Sequence, residues 1–401
     1  MKTKIKFGMI VILSGLFSQA QTIKVTATGT IPASTIYGNT SVVVGNGAGA
    51  GATTTGTNNC FFGFESGKVN TSGGNNTFAG YKSGAANASG SYNSFFGSEA
   101  GLMNTASGNT FFGYQSGRVN VSGSQNSYFG RESGVTSTGG SNTFMGFRAG
   151  YLNSSGGGNT CIGSAAGYNI TTGGGNVLIG SGASMIGASS GNVCIGGTSG
   201  AGGTGENNIF LGSAAGYGVT GNNNILMGTW TGNGQTISNK LIIDYDDNGD
   251  FSDVLIEGDF ADRYFKVNGK TGIGMGTAAF PTNALYTSYN LFVTGGILAD
   301  EVRVKLSSSG TWPDYVFLDD YKLPSLDEVE SYIKTNGRLM NVPSATQVGE
   351  DGIEMGQMAI IQQEKIEELT LYLIEQNNAL KKQSEEIAEL KAMVEALANK
   401  R

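Results

Sequence analysis

A mainly β fold is predicted for this 401-residue chain: a parallel β-solenoid or β-roll of 16–17-residue coils, then a small β region, short helices and a C-terminal coiled-coil helix. Three observations predict it. A glycine recurs at Gly63, Gly80, Gly97, Gly113, Gly130, Gly146, Gly163, Gly180, Gly196, Gly212 and Gly228. An asparagine stands four residues before each: Asn59, Asn76, Asn93, Asn109, Asn126, Asn142, Asn159, Asn176, Asn192, Asn208 and Asn224. The last segment carries apolar heptads. A period this short holds short strands and turns but no helix pair, so each unit reads as one coil of a stack.

The elements follow in chain order. Residues 1–20 read as a signal peptide: Lys2, Lys4 and Lys6 precede the apolar run 9–13, and Ser18-Gln19-Ala20 is a small-residue cleavage site. That implies a secreted or cell-surface protein cleaved near Ala20, and no segment is long and apolar enough for a membrane span. Residues 21–55 are read as N-terminal strands and a cap, with Ser41–Gly45 as a degenerate first coil. Residues 56–236 are the repeat array. A second glycine follows the first by four residues in each unit except one, where Ser184 takes its place. Glycines fixed in this way mark positive φ or close approach between coils, and the stacked asparagines are expected to bond their amides along the stack.

Residues 237–305 form a hairpin-rich neck, with strands expected at 240–244, 253–257, 264–267, 290–293 and 301–304. Asp244, Asp246, Asn248, Gly249 and Asp250 match the front of a calcium loop, but Leu255 stands where the bidentate glutamate belongs, so the segment is read as a turn and no metal site is assigned. Residues 306–356 are a short-helix connector. Ser325 with Glu328 and Ser344 with Gln347 are helix starts, and Asn336-Gly337 is a stop. In 357–401 the coiled-coil seam is Ile366, Leu369, Leu373, Leu380, Ile387, Leu390, Val394 and Leu397, with Gln376 and Gln383 as polar interruptions.

Composition narrows the function. With 24 basic and 31 acidic residues the net charge is −7, and no basic stripe suggests nucleic acid. The chain has no histidine, which removes Ser-His-Asp triads and histidine-based zinc sites. No catalytic residues and no cofactor are assigned. Cys161 and Cys194 share a slot two coils apart, roughly 9.6 Å at the usual strand spacing and too far for a disulfide. Cys60 lies one slot earlier, toward the opposite face.

The two residues before each first glycine must point to opposite faces, yet both are apolar almost throughout, as in Phe61-Phe62, Phe111-Phe112, Leu178-Ile179 and Phe210-Leu211. A strand apolar on both sides needs cover on both. One coil covers only its own interior, so the second stripe calls for another copy of the chain.

The units 109–117 and 208–216 resemble the head repeats of trimeric autotransporter adhesins and related phage tail-fibre repeats. That resemblance implies three parallel β-rolls about an axis with a coiled-coil stalk, hence a homotrimer. The polar ending Leu397–Arg401 lacks the adhesins' membrane strands, and the region from Trp312 to Tyr372 is similar instead to the endings of many exported fibre-like bacterial surface proteins. The leading expectation is an exported structural or adhesion fibre that meets a host, glycan or matrix surface ligand. A polysaccharide-binding or polysaccharide-cleaving fibre is an alternative that needs paired carboxylates, and Glu65, Glu99, Glu132 and Glu206 are the acidic residues of the array. An ice-binding solenoid is another: Thr77, Thr110, Thr143 and Thr160 share a slot, interrupted by Ser94, Ser127, Val177 and Ile209.

Overall fold

A computed structural model describes residues 41–51, 55–245, 254–282, 286–305 and 312–399. The expected signal segment 1–20, the stretch 21–40 and residues 246–250 of the acidic turn lie outside the described residues. The chain divides into two compact units, one up to Thr294 and one from Gly295.

The first unit is a parallel β-solenoid. Each coil contributes one three-residue strand: β1 (Val42–Val44), β2 (Cys60–Phe62), β3 (Thr77–Ala79), β4 (Ser94–Phe96), β5 (Thr110–Phe112) and β6 (Ser127–Phe129). The series continues through β7 (Thr143–Met145), β8 (Thr160–Ile162), β9 (Val177–Ile179), β10 (Val193–Ile195), β11 (Ile209–Leu211) and β12 (Ile225–Met227). Each pairs in parallel with the next without stagger, so Phe95 lies against Phe111 and Phe111 against Tyr128. The central residue of each strand turns inward, which builds a column from Phe61 through Phe78, Phe95, Phe111 and Tyr128 to Phe144 with neighbouring ring centroids 4.7–5.0 Å apart. Stacked rings at this spacing fill the coil with offset aromatic contact. Cys161 and Cys194 continue the column as smaller residues, and Ile170, Met185 and Val219 enter the core beside them.

The glycines have two separate causes. At Gly113 φ is +137°, and a Cβ there would stand 2.4 Å from the carbonyl oxygen of Gly130 in the next coil. At Gly117 φ is +57°, and a Cβ would stand 2.5 Å from the Phe111 ring. The first glycine lets coils touch; the second lets the turn lie against the core ring. Ser184 departs from the pattern because in its coil the position four after the first glycine has no positive φ, and Met185 beside it fills the core.

The stack continues into β13 (Lys240–Ile243), still parallel, and then reverses: β14 (Ile256–Asp259) and β15 (Tyr264–Val267) add antiparallel, closing a 15-stranded sheet. β14 begins three residues later than expected, since its pairing sets Ile243 opposite Ile256 and leaves Val254 buried in the core instead. β16 (Thr271–Ile273) and β17 (Leu291–Val293) form a separate parallel pair. The strand expected at 301–304 is absent: those residues find no partner strand among the described residues, and Val302 and Val304 are exposed.

In the second unit a 3-10 turn at Pro313–Phe317 precedes three helices, α1 (Leu326–Asn336), α2 (Ala345–Asp351) and α3 (Met355–Ala398). Both expected capping boxes form, at Ser325 with Glu328 and at Ser344 with Gln347, and α1 stops at left-handed Gly337. No described helix is long and apolar enough to cross a membrane.

Candidate interaction surfaces

The asparagine ladder is buried, and its bonding differs from an amide-to-amide stack. Asn109 Oδ1 accepts from the backbone N–H of Asn126 at 2.9 Å, and Asn126 Oδ1 accepts from that of Asn142 at 2.8 Å. Asn126 Nδ2 donates to the Gly139 carbonyl at 2.9 Å. Each side chain thus satisfies backbone groups at a corner where the strand ends, because a three-residue strand leaves its flanking amides without sheet partners. Direct amide-to-amide bonds join this pattern only from Asn176 onward, at Asn192, Asn208 and Asn224. Two further inward columns went unread in the sequence, although the glycine register marks both. Ser66, Ser83, Ser116 and Ser199, three residues after the first glycine, donate to carbonyls of the next strand. Asn70, Asn87, Asn104, Asn120 and Asn153, seven after it, are fully buried or nearly so.

The outward residues of the strands form a bare face. Phe62 and Phe112 are 60% and 56% exposed while Phe61 and Phe111 beside them are buried. From β9 to β13 both outward positions are aliphatic: Val177 with Ile179, Val193 with Ile195, Ile209 with Leu211, Ile225 with Met227, Leu241 with Ile243. Nearer the start the flanking column carries hydroxyls, half-buried in the order Thr77, Ser94, Thr110, Ser127, Thr143, Thr160. Cys60 lies on this outward side, whereas Cys161 and Cys194 are buried free thiols; burial raises Cys194 to about 12 and Cys161 further.

A second surface lies in the turn after each first glycine. Between Gly63 and Gly150 every charged residue occupies this turn: Glu65, Lys68, Lys82, Glu99, Arg118, Arg131, Glu132 and Arg148. Glu65 pairs with Lys68 at 2.8 Å and Lys82 at 3.8 Å; Glu99 pairs with Arg118 at 2.9 Å; Glu132 pairs with Arg148 at 2.6 Å and Arg131 at 3.0 Å. The Lys68 hydrogen bond holds Glu65 below the usual carboxylate range, and that of Arg148 does the same for Glu132. At Glu99 burial pushes upward, but bonds from Gln115 and Arg118 outweigh it, so this carboxyl too is lowered. Exposed aromatics lie alongside, at Phe64, Tyr81, Tyr114 and Phe147. The residue two after each glycine has positive φ even where it is Glu65, Lys82, Glu99 or Arg148, a left-handed conformation imposed on ordinary side chains.

In the second unit the heptad seam is uncovered: Ile366, Leu369, Leu373, Leu380, Ile387, Leu390, Val394 and Leu397 are all exposed. The start of α3 is covered. Tyr315 and Tyr321 donate to Glu364 and Glu368 at 2.6 Å, Lys365 bridges those two carboxylates at 2.8 Å, and Tyr372 donates to the Pro324 carbonyl. Sequence reading took Tyr315 and Tyr321 as connector and the start of α3 as coiled coil, and did not join them, since the tyrosine and glutamate partners stand almost fifty residues apart.

Comparison with protein-family models, curated proteins and solved structures returned no match to this chain. Among the described residues no group of histidine, cysteine, aspartate and glutamate side chains is arranged to hold a metal ion.

Proposed function

We propose that this chain is an exported structural or adhesion fibre that works as a homotrimer, its coils packed through the bare sheet face and its C-terminal helices wound into a coiled coil. The observation that carries it is the continuous outward apolar face of β9 to β13. Monomers seldom leave so many large apolar side chains contiguous, and the uncovered heptads of α3 ask independently for partners of the same kind. Three copies is the number that the resemblance to adhesin heads implies. Export follows from the leader-like residues 1–20, and contact with a host, glycan or matrix surface from the exposed turns, where binding resides on rigid scaffolds.

The alternative of polysaccharide cleavage has less support. A general acid in such chemistry needs a raised pKa, and Glu65, Glu99 and Glu132 are all lowered. Light scattering on the chain from residue 21 onward tests the assembly: three chain masses are expected, and a monodisperse monomer would sink the proposal. Ile209→Lys with Ile225→Lys, both outward-facing, is expected to dissociate the coil stacks while leaving the far-UV spectrum of each unchanged.

A further inference from the structure

The column of residues directly after each first glycine contains a structural precedent for recognition. It runs Phe64, Tyr81, Ser98, Tyr114, Arg131, Phe147. The Arg131 guanidinium stands between two aromatic rings one coil away on either side, 5.8 Å from the Tyr114 centroid and 5.6 Å from that of Phe147. Its Nε donates to Oε1 of the following residue, Glu132, at 3.0 Å. The fold therefore seats a planar cation between two π faces with a carboxylate at its edge, a favourable arrangement for a guanidinium.

Two coils earlier the same setting recurs without a guanidinium in the column. Ser98 stands between Tyr81 and Tyr114, which are 45% and 46% exposed. Two coils separate these rings, about 9.6 Å at the strand spacing, as they separate Tyr114 from Phe147. The following residue is again a glutamate, Glu99. Its Oε2 takes Arg118 and Gln115 at 2.9 Å, and its Oε1 accepts no hydrogen bond among the described residues. That free oxygen corresponds to the Glu132 atom that receives Arg131. Lys82 lies outside this column: its Nζ stands 3.8 Å from Glu65 and 5.1 Å from the Tyr81 centroid, and it forms no ion pair with Glu99. Phe64 stacks on Tyr81 at 5.4 Å and 8° between planes.

We propose that the notch over Ser98, walled by Tyr81 and Tyr114 and edged by Glu99, binds one guanidinium group, the arginine side chain of a partner protein. The slot lies in the charged turns and not on the strand face, so its function is separable from self-association. Arginine is favoured over lysine because a flat, weakly hydrated cation stacks between two rings with less loss of hydration than a compact ammonium. The slot places an adhesive contact at a definite coil and gives it a definite chemistry.

The test uses the full-length protein over two dense peptide surfaces that differ only in presenting arginine or lysine within a Gly-Ser sequence. The native chain is expected to be retained at least about fivefold more tightly on arginine. Ser98→Arg fills the notch with the chain's own guanidinium and is expected to abolish that preference without lowering the melting temperature. Arg131→Ser opens a second notch and is expected to raise arginine retention about twofold, a gain that a misfolded variant cannot mimic. Equal retention on the two surfaces by the native chain overturns the proposal, as does an undiminished preference in Ser98→Arg. A neutral oligosaccharide bound in a Ser98→Arg-sensitive manner, with no arginine preference, would assign the notch to a sugar ring and overturn it too. Light scattering on the same samples reports the trimer separately.

Discussion

Asn126→Ala isolates what one ladder asparagine does. Its loss leaves the Asn142 N–H and the Gly139 carbonyl without the partners they have at 2.8 and 2.9 Å, in a position only 1% exposed. An orphaned buried polar group costs about 1–3 kcal/mol, so the two together destabilise the array by roughly 2–6 kcal/mol. In a cooperative unit near 200 residues that is a fall of roughly 4–24 °C in melting temperature. Ser127→Ala, one residue on and facing outward, should stay within about 0.5 kcal/mol. Asn126→Asp separates the two bonds: its oxygen still accepts from Asn142, but a charged carboxylate faces the Gly139 carbonyl. That variant should be the least stable at neutral pH and recover as the pH falls, when a protonated acid can donate to the carbonyl. Thermal melts followed by circular dichroism across pH 4–8 measure all three. If Asn126→Ala melts with Ser127→Ala, the ladder is a by-product of the repeat and the reasoning fails.

Other expectations follow from the same geometry. Gly117→Ala forces an alanine into a left-handed conformation with its Cβ 2.5 Å from the Phe111 ring, and strain of about 1–2 kcal/mol plus overpacking of about 1–3 kcal/mol should appear as a lower melting temperature, whereas Gly175→Ala, with no atom within 4 Å of its Cβ, should carry the conformational part alone. Maleimide should leave Cys161 and Cys194 unlabelled in the native protein and reach them only after denaturation, as mass spectrometry would count; rapid native labelling of Cys161 would contradict a closed core. The Tyr315–Glu364 contact sets a pH window on the second unit. The hydrogen bond to Glu364 raises Tyr315 to about 12, so its contribution is present below the free tyrosine value near 10 and disappears as pH rises through 12. Glu364 is lowered although burial opposes it, because Lys365, Tyr315 and Asn341 donate to it, so its contribution is present above the free carboxyl value near 4.3 and is lost as pH falls below it. Near-ultraviolet titration of Tyr315→Phe should lack the tyrosine ionisation at about 12, while the more strongly raised Tyr128 and Tyr321 remain.

The coil was legible because glycine and asparagine have narrow physical uses. Gly113 meets a carbonyl and Asn109 serves an orphaned amide, so neither can be exchanged freely, and the register shows through. Burial followed from that register: Phe111 inward and Phe112 outward is a matter of pleat. The left-handed residue two after each glycine was invisible, since Glu65, Lys82 and Thr198 carry no signal for positive φ; neighbouring coils impose it. The start of β14 was misread because local apolar content at Val254-Leu255 looks like a strand, while pairing with β13 decides the register. The notch over Ser98 was equally hidden. Serine there is unremarkable until the arginine and tyrosines of adjacent coils are laid beside it.

Unstaggered pairing also makes length an adjustable quantity. Removal of residues 126–141 would bring the Asn142 N–H to Asn109 Oδ1, the acceptor that now serves Asn126, and Phe144 onto Phe111. The ladder bond and the ring stack left behind would repeat kinds that already exist. Duplication or loss of a whole coil in the gene therefore alters the reach of the solenoid in steps of about 4.8 Å and asks the interior for no change. Such a chain can follow a changing distance between two surfaces by copy number, without evolving a new interior.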